Sequence, residues 1–128
     1  MNEISKLLEE FDKYEVKPSE KQIELGNKIK AIFEDVLKEL GKEFKIEIHE
    51  RPCLKIDLED ENDYPVVSVI IEDGEIWVLQ AHIYPSDYKT IDGELTIQLE
   101  SDNDEKDFNE IELEKVRETA LNYLKENI

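Results

Sequence analysis

The chain has a single cysteine, Cys53, in 128 residues, so it holds no internal disulfide and nothing in it demands an oxidising compartment. Its four glycines, Gly26, Gly41, Gly74 and Gly93, lie far apart, which excludes a phosphate-cradling loop or a dinucleotide fingerprint. Histidine is limited to His49 and His82, and neither has zinc-type spacing. No apolar run approaches the roughly 20 residues of a membrane helix. The start, Met1-Asn2-Glu3-Ile4-Ser5-Lys6, lacks the cationic end and long apolar stretch of a signal peptide. The cytoplasm is the expected location.

Positive charge is also scarce. Sixteen bases face 34 acids, a formal net charge of −18. Phosphate contacts need a basic stripe and none is present, so direct nucleic-acid binding and attachment to an anionic membrane are disfavoured. Apolar residues make up 39% of the chain and fall in periodic blocks, enough for one domain that buries about two-thirds of its unfolded surface.

The blocks read in order. Ile4, Leu7, Leu8 and Phe11 predict a short helix within residues 1–17, ending near Tyr14 before Lys17-Pro18. Ser19 and Gln22 form a capping-box pair that starts a second helix over 19–41. Its stripe is Leu25, Ile29, Ile32, Val36 and Leu40, widened by Phe33 and Leu37, and Gly41 ends it. Gly26 inside this helix marks either a close crossing or the frayed first turn. From Glu43 the period becomes 2: Phe44, Ile46 and Ile48 form one strand, Leu54, Ile56 and Leu58 another. Pairing these as a hairpin sets Ile48 opposite Leu54, with Pro52 favouring a wider loop or a bent edge.

Two further strands, Pro65–Ile71 and Ile76–Ile83, flank Asp73-Gly74, the signature of a type I′ turn. That turn pairs Ile71 with Ile76, Val69 with Val78 and Val67 with Gln80, and sets Glu72 opposite Glu75. Both hairpin faces then carry apolar residues, so the hairpin is covered on both sides or one face is open to a partner. Asp92-Gly93 predicts another turn, between strands at Tyr88–Ile91 and Glu94–Glu100. Asn109 and Glu112 signal a last helix over 109–127, with Leu113, Val116, Ala120, Tyr123 and Leu124 on its stripe. The expectation is one α+β domain over 1–128: two N-terminal helices, a mostly antiparallel five- or six-stranded meander sheet over 43–100, and a C-terminal helix.

The charge is uneven along this order. Residues 42–108 hold 19 acids and 6 bases, whereas residues 1–41 and 109–128 have net charges of only −3 and −2. Three loops concentrate the excess: Glu59-Asp60-Glu61-Asn62-Asp63, Glu72-Asp73-Gly74-Glu75, and Asp102-Asn103-Asp104-Glu105-Lys106-Asp107. Asp102 and Asp104 match the first two ligands of an EF-hand, but the sixth position is not glycine and the twelfth is Leu113, so no calcium loop is expected. His49 and Cys53 flank Arg51, yet no group orients them as a nucleophile pair. No catalytic residue, metal ligand or cofactor is expected.

Tyr84-Pro85-Ser86-Asp87-Tyr88 is a proline-bent connection with two rings of the type that anchor interfaces. The residues expected to contact a partner are therefore those of the three acidic loops together with Tyr84, Asp87 and Tyr88. The functional expectation is a non-enzymatic acidic protein that binds a basic protein partner and occludes its cationic surface, as an immunity protein, antitoxin or nucleic-acid mimic does. The alternative is a small dimeric chaperone whose apolar hairpin face pairs with a second copy or a client segment.

Overall fold

A computed structural model of the chain describes residues 15–54, 64–87 and 93–127. The expected first helix, over Ile4 to Tyr14, lies outside them. The first described element is a two-residue strand, β1 (Glu15–Val16). Then come α1 (Glu20–Leu40), β2 (Lys45–Arg51), β3 (Cys53–Leu54), β4 (Val66–Asp73), β5 (Ile76–Pro85), β6 (Leu95–Glu100), β7 (Glu105–Asn109) and α2 (Leu113–Asn127). Among the described residues there are thus two helices, one before the sheet and one after it, where the sequence predicts two before it. The fold is α+β. No described helix is long and apolar enough to cross a membrane.

Helix α1 starts as its sequence dictates. The Gln22 N–H donates to Ser19 Oγ (3.1 Å), and the Ser19 N–H donates to Gln22 Oε1 (3.0 Å). At the other end Gly41 takes φ 68° and its N–H returns to the carbonyls of the last turn, the left-handed stop that glycine makes cheap. The buried stripe is Leu25, Ile29, Phe33, Val36 and Leu37. It is rotated slightly from expectation, with Ile32 and Leu40 on its flanks. Gly26 is a close crossing: a Cβ there would stand 2.7 Å from Val67 Cγ1.

The five-stranded sheet has the order β2-β4-β5-β6-β7, antiparallel throughout. Strand β2 pairs with β4, Ile46 against Ile71 and Ile48 against Val69, and does not form a hairpin with the run after it. Leu54 pairs with Glu15 in a separate two-stranded sheet, and the rest of that run, Ile56 and Leu58, lies outside the described residues. The reason is local: Pro52 has no N–H to give a tight return, while the long apolar β4 offers β2 a full ladder.

The β4–β5 turn also departs from expectation. Its central residues are Gly74 and Glu75, and only Gly74 has positive φ (67°), so it is not the type I′ turn that needs two such residues. Asp73 pairs with Ile76 and Glu72 with Trp77; the register then slips by one, and Ile71 pairs with Leu79. This β-bulge leaves Val78 over and puts Val67, Val69, Ile71, Leu79, Ala81 and Ile83 on a single face, all fully buried.

Strand β6 buries Leu95, Ile97 and Leu99 as its alternation requires. The partner expected for it, Tyr88–Ile91, lies outside the described residues, and β6 pairs instead with β7, a segment whose sequence reads as loop. Only Phe108 of β7 is buried, which suits a short charged edge strand. Asn109 then makes a turn, Oδ1 accepting from the Ile111 N–H (3.1 Å), so α2 begins four residues later than expected. Both helices pack on the buried face of the sheet and on each other, through Phe33, Val36, Val116, Ala120 and Leu124.

Candidate functional site

With both helices on one side, the second face of the sheet carries no described helix. Register places on it Lys45, Glu47, His49 and Arg51 of β2, Ser68 and Ile70 of β4, Gln80, His82 and Tyr84 of β5, Thr96, Gln98 and Glu100 of β6, and Glu105 and Asp107 of β7. Val66 and Trp77 also lie on it, but over the whole sheet the face is predominantly polar; the hairpin's own share is mixed, which corrects the reading of a hairpin apolar on both sides. The expected pairing split Ser68 and Gln80 between opposite faces; the real one unites them.

Near the Tyr84 end the face is dished, with Arg51, Tyr64, Val66, Ser68, His82, Tyr84 and Gln98 lining a depression of about 300 Å³. The rings of Tyr64 and Tyr84 stack with centroids 5.3 Å apart. Burial raises the Tyr84 pKa, and the charges of Asp107 and Glu105 add to the effect, so its hydroxyl is a proton donor across the neutral range. At the centre His82 bridges Ser68 Oγ (2.8 Å to Nδ1) and Glu100 Oε2 (3.2 Å to Nε2). An ionised Glu100 can only accept, so Nε2 donates to it, while Nδ1 accepts from Ser68 in the neutral ring and donates to it in the cation. The imidazole is thereby locked in place.

A serine, a histidine and a carboxylate in series invite a comparison with acyl-transfer enzymes. Such chemistry also needs N–H donors aimed at a developing oxyanion. Ser68 sits in the middle of β4, a strand paired on both sides, where the backbone N–H groups are engaged in the ladders. The arrangement orients a ring; it does not build an oxyanion hole. The His49–Cys53 pair is not assembled either: His49 contacts Glu47 Oε2 (3.1 Å) on the open face, while Cys53 is buried on β3. Among the described residues no three His, Cys, Asp or Glu side chains converge as a metal site.

The acidic residues gather at the other end of the sheet. The β4–β5 turn brings Glu72, Asp73 and Glu75; the expected Glu72–Glu75 opposition is replaced by Glu72 with Trp77. Because Gln80 pairs with Glu100 and Glu100 with Glu105, the β6–β7 turn projects from the same end and adds Asp102, Asp104 and Glu105. That turn is braced: the Ser101 N–H donates to the Asp104 carbonyl (2.8 Å), and the Tyr123 hydroxyl of α2 donates to Asp104 Oδ2 (3.0 Å). Ion pairs in the described residues lie elsewhere, at Lys21–Glu110, Lys30–Glu34, Lys45–Glu47, Lys115–Glu112 and Arg117 with Asp35 and Glu39. Lys45 stands opposite Glu72 in the ladder, but its ammonium is taken by Glu47. Six carboxylates thus lie on two turns at one end of the sheet, with no ion pair of their own among the described residues.

Two more of the expected contact residues, Tyr84 and Asp87, sit away from this cluster. Tyr84 is eight residues along β5 from Ile76, about 26 Å at ordinary strand rise. Glu59, Asp60, Glu61, Asp63 and Tyr88 lie outside the described residues. Sequence reasoning passed over Arg51, Ser68, His82 and Gln98. A signal for two of them was present: requiring Ser68, Gln80 and His82 to share one face rules out the expected register, whereas Gln98 comes beside His82 only through the β5–β6 pairing.

Comparison of the chain with protein-family models, with curated proteins and with solved structures returns no match.

Proposed function

We propose that this chain is a non-enzymatic binding protein that covers the cationic surface of a basic protein partner with the acidic end of its sheet. The observation that carries the reading is that Glu72, Asp73, Glu75, Asp102, Asp104 and Glu105 lie on two turns at the same end of the sheet, none of them in an ion pair among the described residues. Charges of one sign at one end of the sheet set up a field that speeds the approach of a cationic partner. Glu105 and Asp107 carry the same sign onto the β7 edge of the open face, which extends the contact beyond the turns. A nuclease surface that binds phosphates with lysine and arginine has the matching chemistry, and its occlusion would make the chain an inhibitor, as an immunity protein, antitoxin or nucleic-acid mimic is. The chaperone alternative needs a large contiguous apolar face, and on the open face Val66, Ile70 and Trp77 are separated by Ser68, Glu72, Gln80 and His82.

The test is affinity capture from host lysate with the wild-type chain and with a variant in which these six carboxylates are converted to amides. At ~0.05 M salt the wild type retains a protein of basic pI, which is released at ~0.5 M, where screening shortens the Debye length to ~4–5 Å. The amide variant retains none of it. Capture that is equal for both chains, or insensitive to salt, contradicts the reading.

A further inference from the structure

The depression on the open face is chemically distinct from the acidic end and lies at the other end of the strands. Its floor is Val66, Ser68 and His82; Arg51 bounds it on the β2 side and Gln98 on the β6 side. Three strand spacings separate the backbones of Arg51 and Gln98, about 14 Å. A volume of about 300 Å³ is at the lower end of the range for small-ligand sites.

Arg51 sets the chemistry. The chain has two arginines. Arg117 is held by Asp35 (2.9 Å) and Glu39 (3.3 Å), whereas Arg51 has no carboxylate partner among the described residues, in a chain with 34 acids. The described acids of the face are placed or engaged elsewhere: Glu47, four residues along β2, is held by Lys45 and His49, Glu100 on β6 is engaged by His82, and Asp107 on β7 lies beyond Gln98. The depression is therefore polarised, guanidinium at its β2 edge and carboxylates past its β6 edge. A guanidinium presents a planar fork that matches a carboxylate in bidentate fashion. Beside it, the stacked Tyr64 and Tyr84 offer aromatic surface, and the Val66 floor is apolar. The net charge of −18 opposes anions, but the two described acidic turns, β4–β5 and β6–β7, lie toward the other end of the strands, the first about 26 Å away along β5, some three Debye lengths at physiological salt. The loop 59–63 before Tyr64 lies outside the described residues.

We propose that this depression binds a small molecule in which a carboxylate is joined to a flat ring, the carboxylate on the Arg51 guanidinium and the ring over Val66 against the Tyr64–Tyr84 pair. Ser68 and Glu100 hold His82 as a fixed wall, so the site needs no rearrangement to accept it. This site and the acidic end are separate, and either can fail without the other.

The test is a titration of the full chain with benzoate, followed by backbone amide resonances and the His82 ring signals. Saturable shifts are expected at Arg51, Ser68, His82 and Gln98, with half-saturation at or below ~1 mM. Arg51→Gln, at an exposed position that does not threaten folding, weakens binding roughly tenfold or more, because hydrogen bonds to a charged group are lost. Arg51→Lys keeps the charge but not the fork and falls in between. Cyclohexanecarboxylate binds about threefold or more less tightly, since it cannot stack on tyrosine. Benzamide, the neutral isostere, produces no saturable shift. The proposal is overturned if benzoate does not saturate, if Arg51→Gln titrates like the wild type, or if benzamide or cyclohexanecarboxylate binds as well as benzoate.

Discussion

Gln22 does three jobs with one side chain. Its Oε1 closes the capping box, and its Nε2 donates to the carbonyls of Pro65 (3.0 Å) and Ile83 (3.2 Å), all without solvent exposure. The capping role was legible from the Ser19–Gln22 spacing; the tie from helix to sheet was not, since no local pattern links Gln22 to residues 43 and 61 positions away. Gln22→Ala leaves two buried carbonyls short of a donor and removes half the cap, and chemical denaturation should report a loss of about 2–4 kcal/mol. Gly26 is the opposite case, where local rules alone give the wrong sign. Helix propensity favours Gly26→Ala by about 1 kcal/mol, but the new methyl meets the fully buried, β-branched Val67 at 2.7 Å. Overpacking costs about 1–3 kcal/mol, so a net loss near 1 kcal/mol is expected. Pairing it with Val67→Ala should cost less than the two single changes summed. A stabilised Gly26→Ala variant would show that the crossing has slack.

Among elements, α1 was the most legible, because its period, cap and glycine stop agree. The β4–β5 hairpin was located correctly but set in the wrong register. Asp73-Gly74 is a strong turn signal, yet the turn forms one residue later, and the bulge at Val78 moves the pairing again. Burial decided the outcome: this register places Val67, Val69, Ile71, Leu79, Ala81 and Ile83 on one covered face with no polar side chain of the two strands between them. Strand β7 was missed because Glu105-Lys106-Asp107-Phe108-Asn109 offers one buried apolar residue and reads as solvated loop. What holds its turn to the body of the protein is the Tyr123–Asp104 bond. Burial first, then Asp104 and Glu126, raises the Tyr123 pKa. A phenol whose folded pKa is raised contributes stability that is complete below its unfolded value of about 10 and is lost as pH rises through the folded one. Tyr123→Phe should therefore flatten the alkaline decline in stability measured by denaturant titration above pH ~10, with Tyr84, Lys45 and Lys115, raised in the same direction, contributing to the decline that remains. An unchanged alkaline profile would show that Tyr123 does not brace the turn.

At the scale of the whole molecule, the sequence pointed to the right half of the chain for charge but not to its arrangement. Counting acids by segment located the excess in residues 42–108. It could not foresee that antiparallel pairing brings the β4–β5 and β6–β7 turns to one end of the sheet while Tyr84 and Asp87 go to the other. Nor could it foresee the depression, whose lining comes from four strands and one connecting residue. The architecture divides the molecule into a covered apolar face, an open polar face and an acidic end, with the helices close to charge balance.

Whether the acidic end meets a cationic protein surface is decided by association kinetics. With the basic partner recovered by capture, the association rate constant should be high at ~0.05 M salt and fall at least tenfold by ~0.5 M, as steered encounters do, while dissociation changes far less. The chain with all six carboxylates of the two turns converted to amides should associate slowly at every salt concentration. An association rate that ignores salt, or a six-amide variant that associates as fast as the wild type, would contradict a role for the acidic end in partner binding.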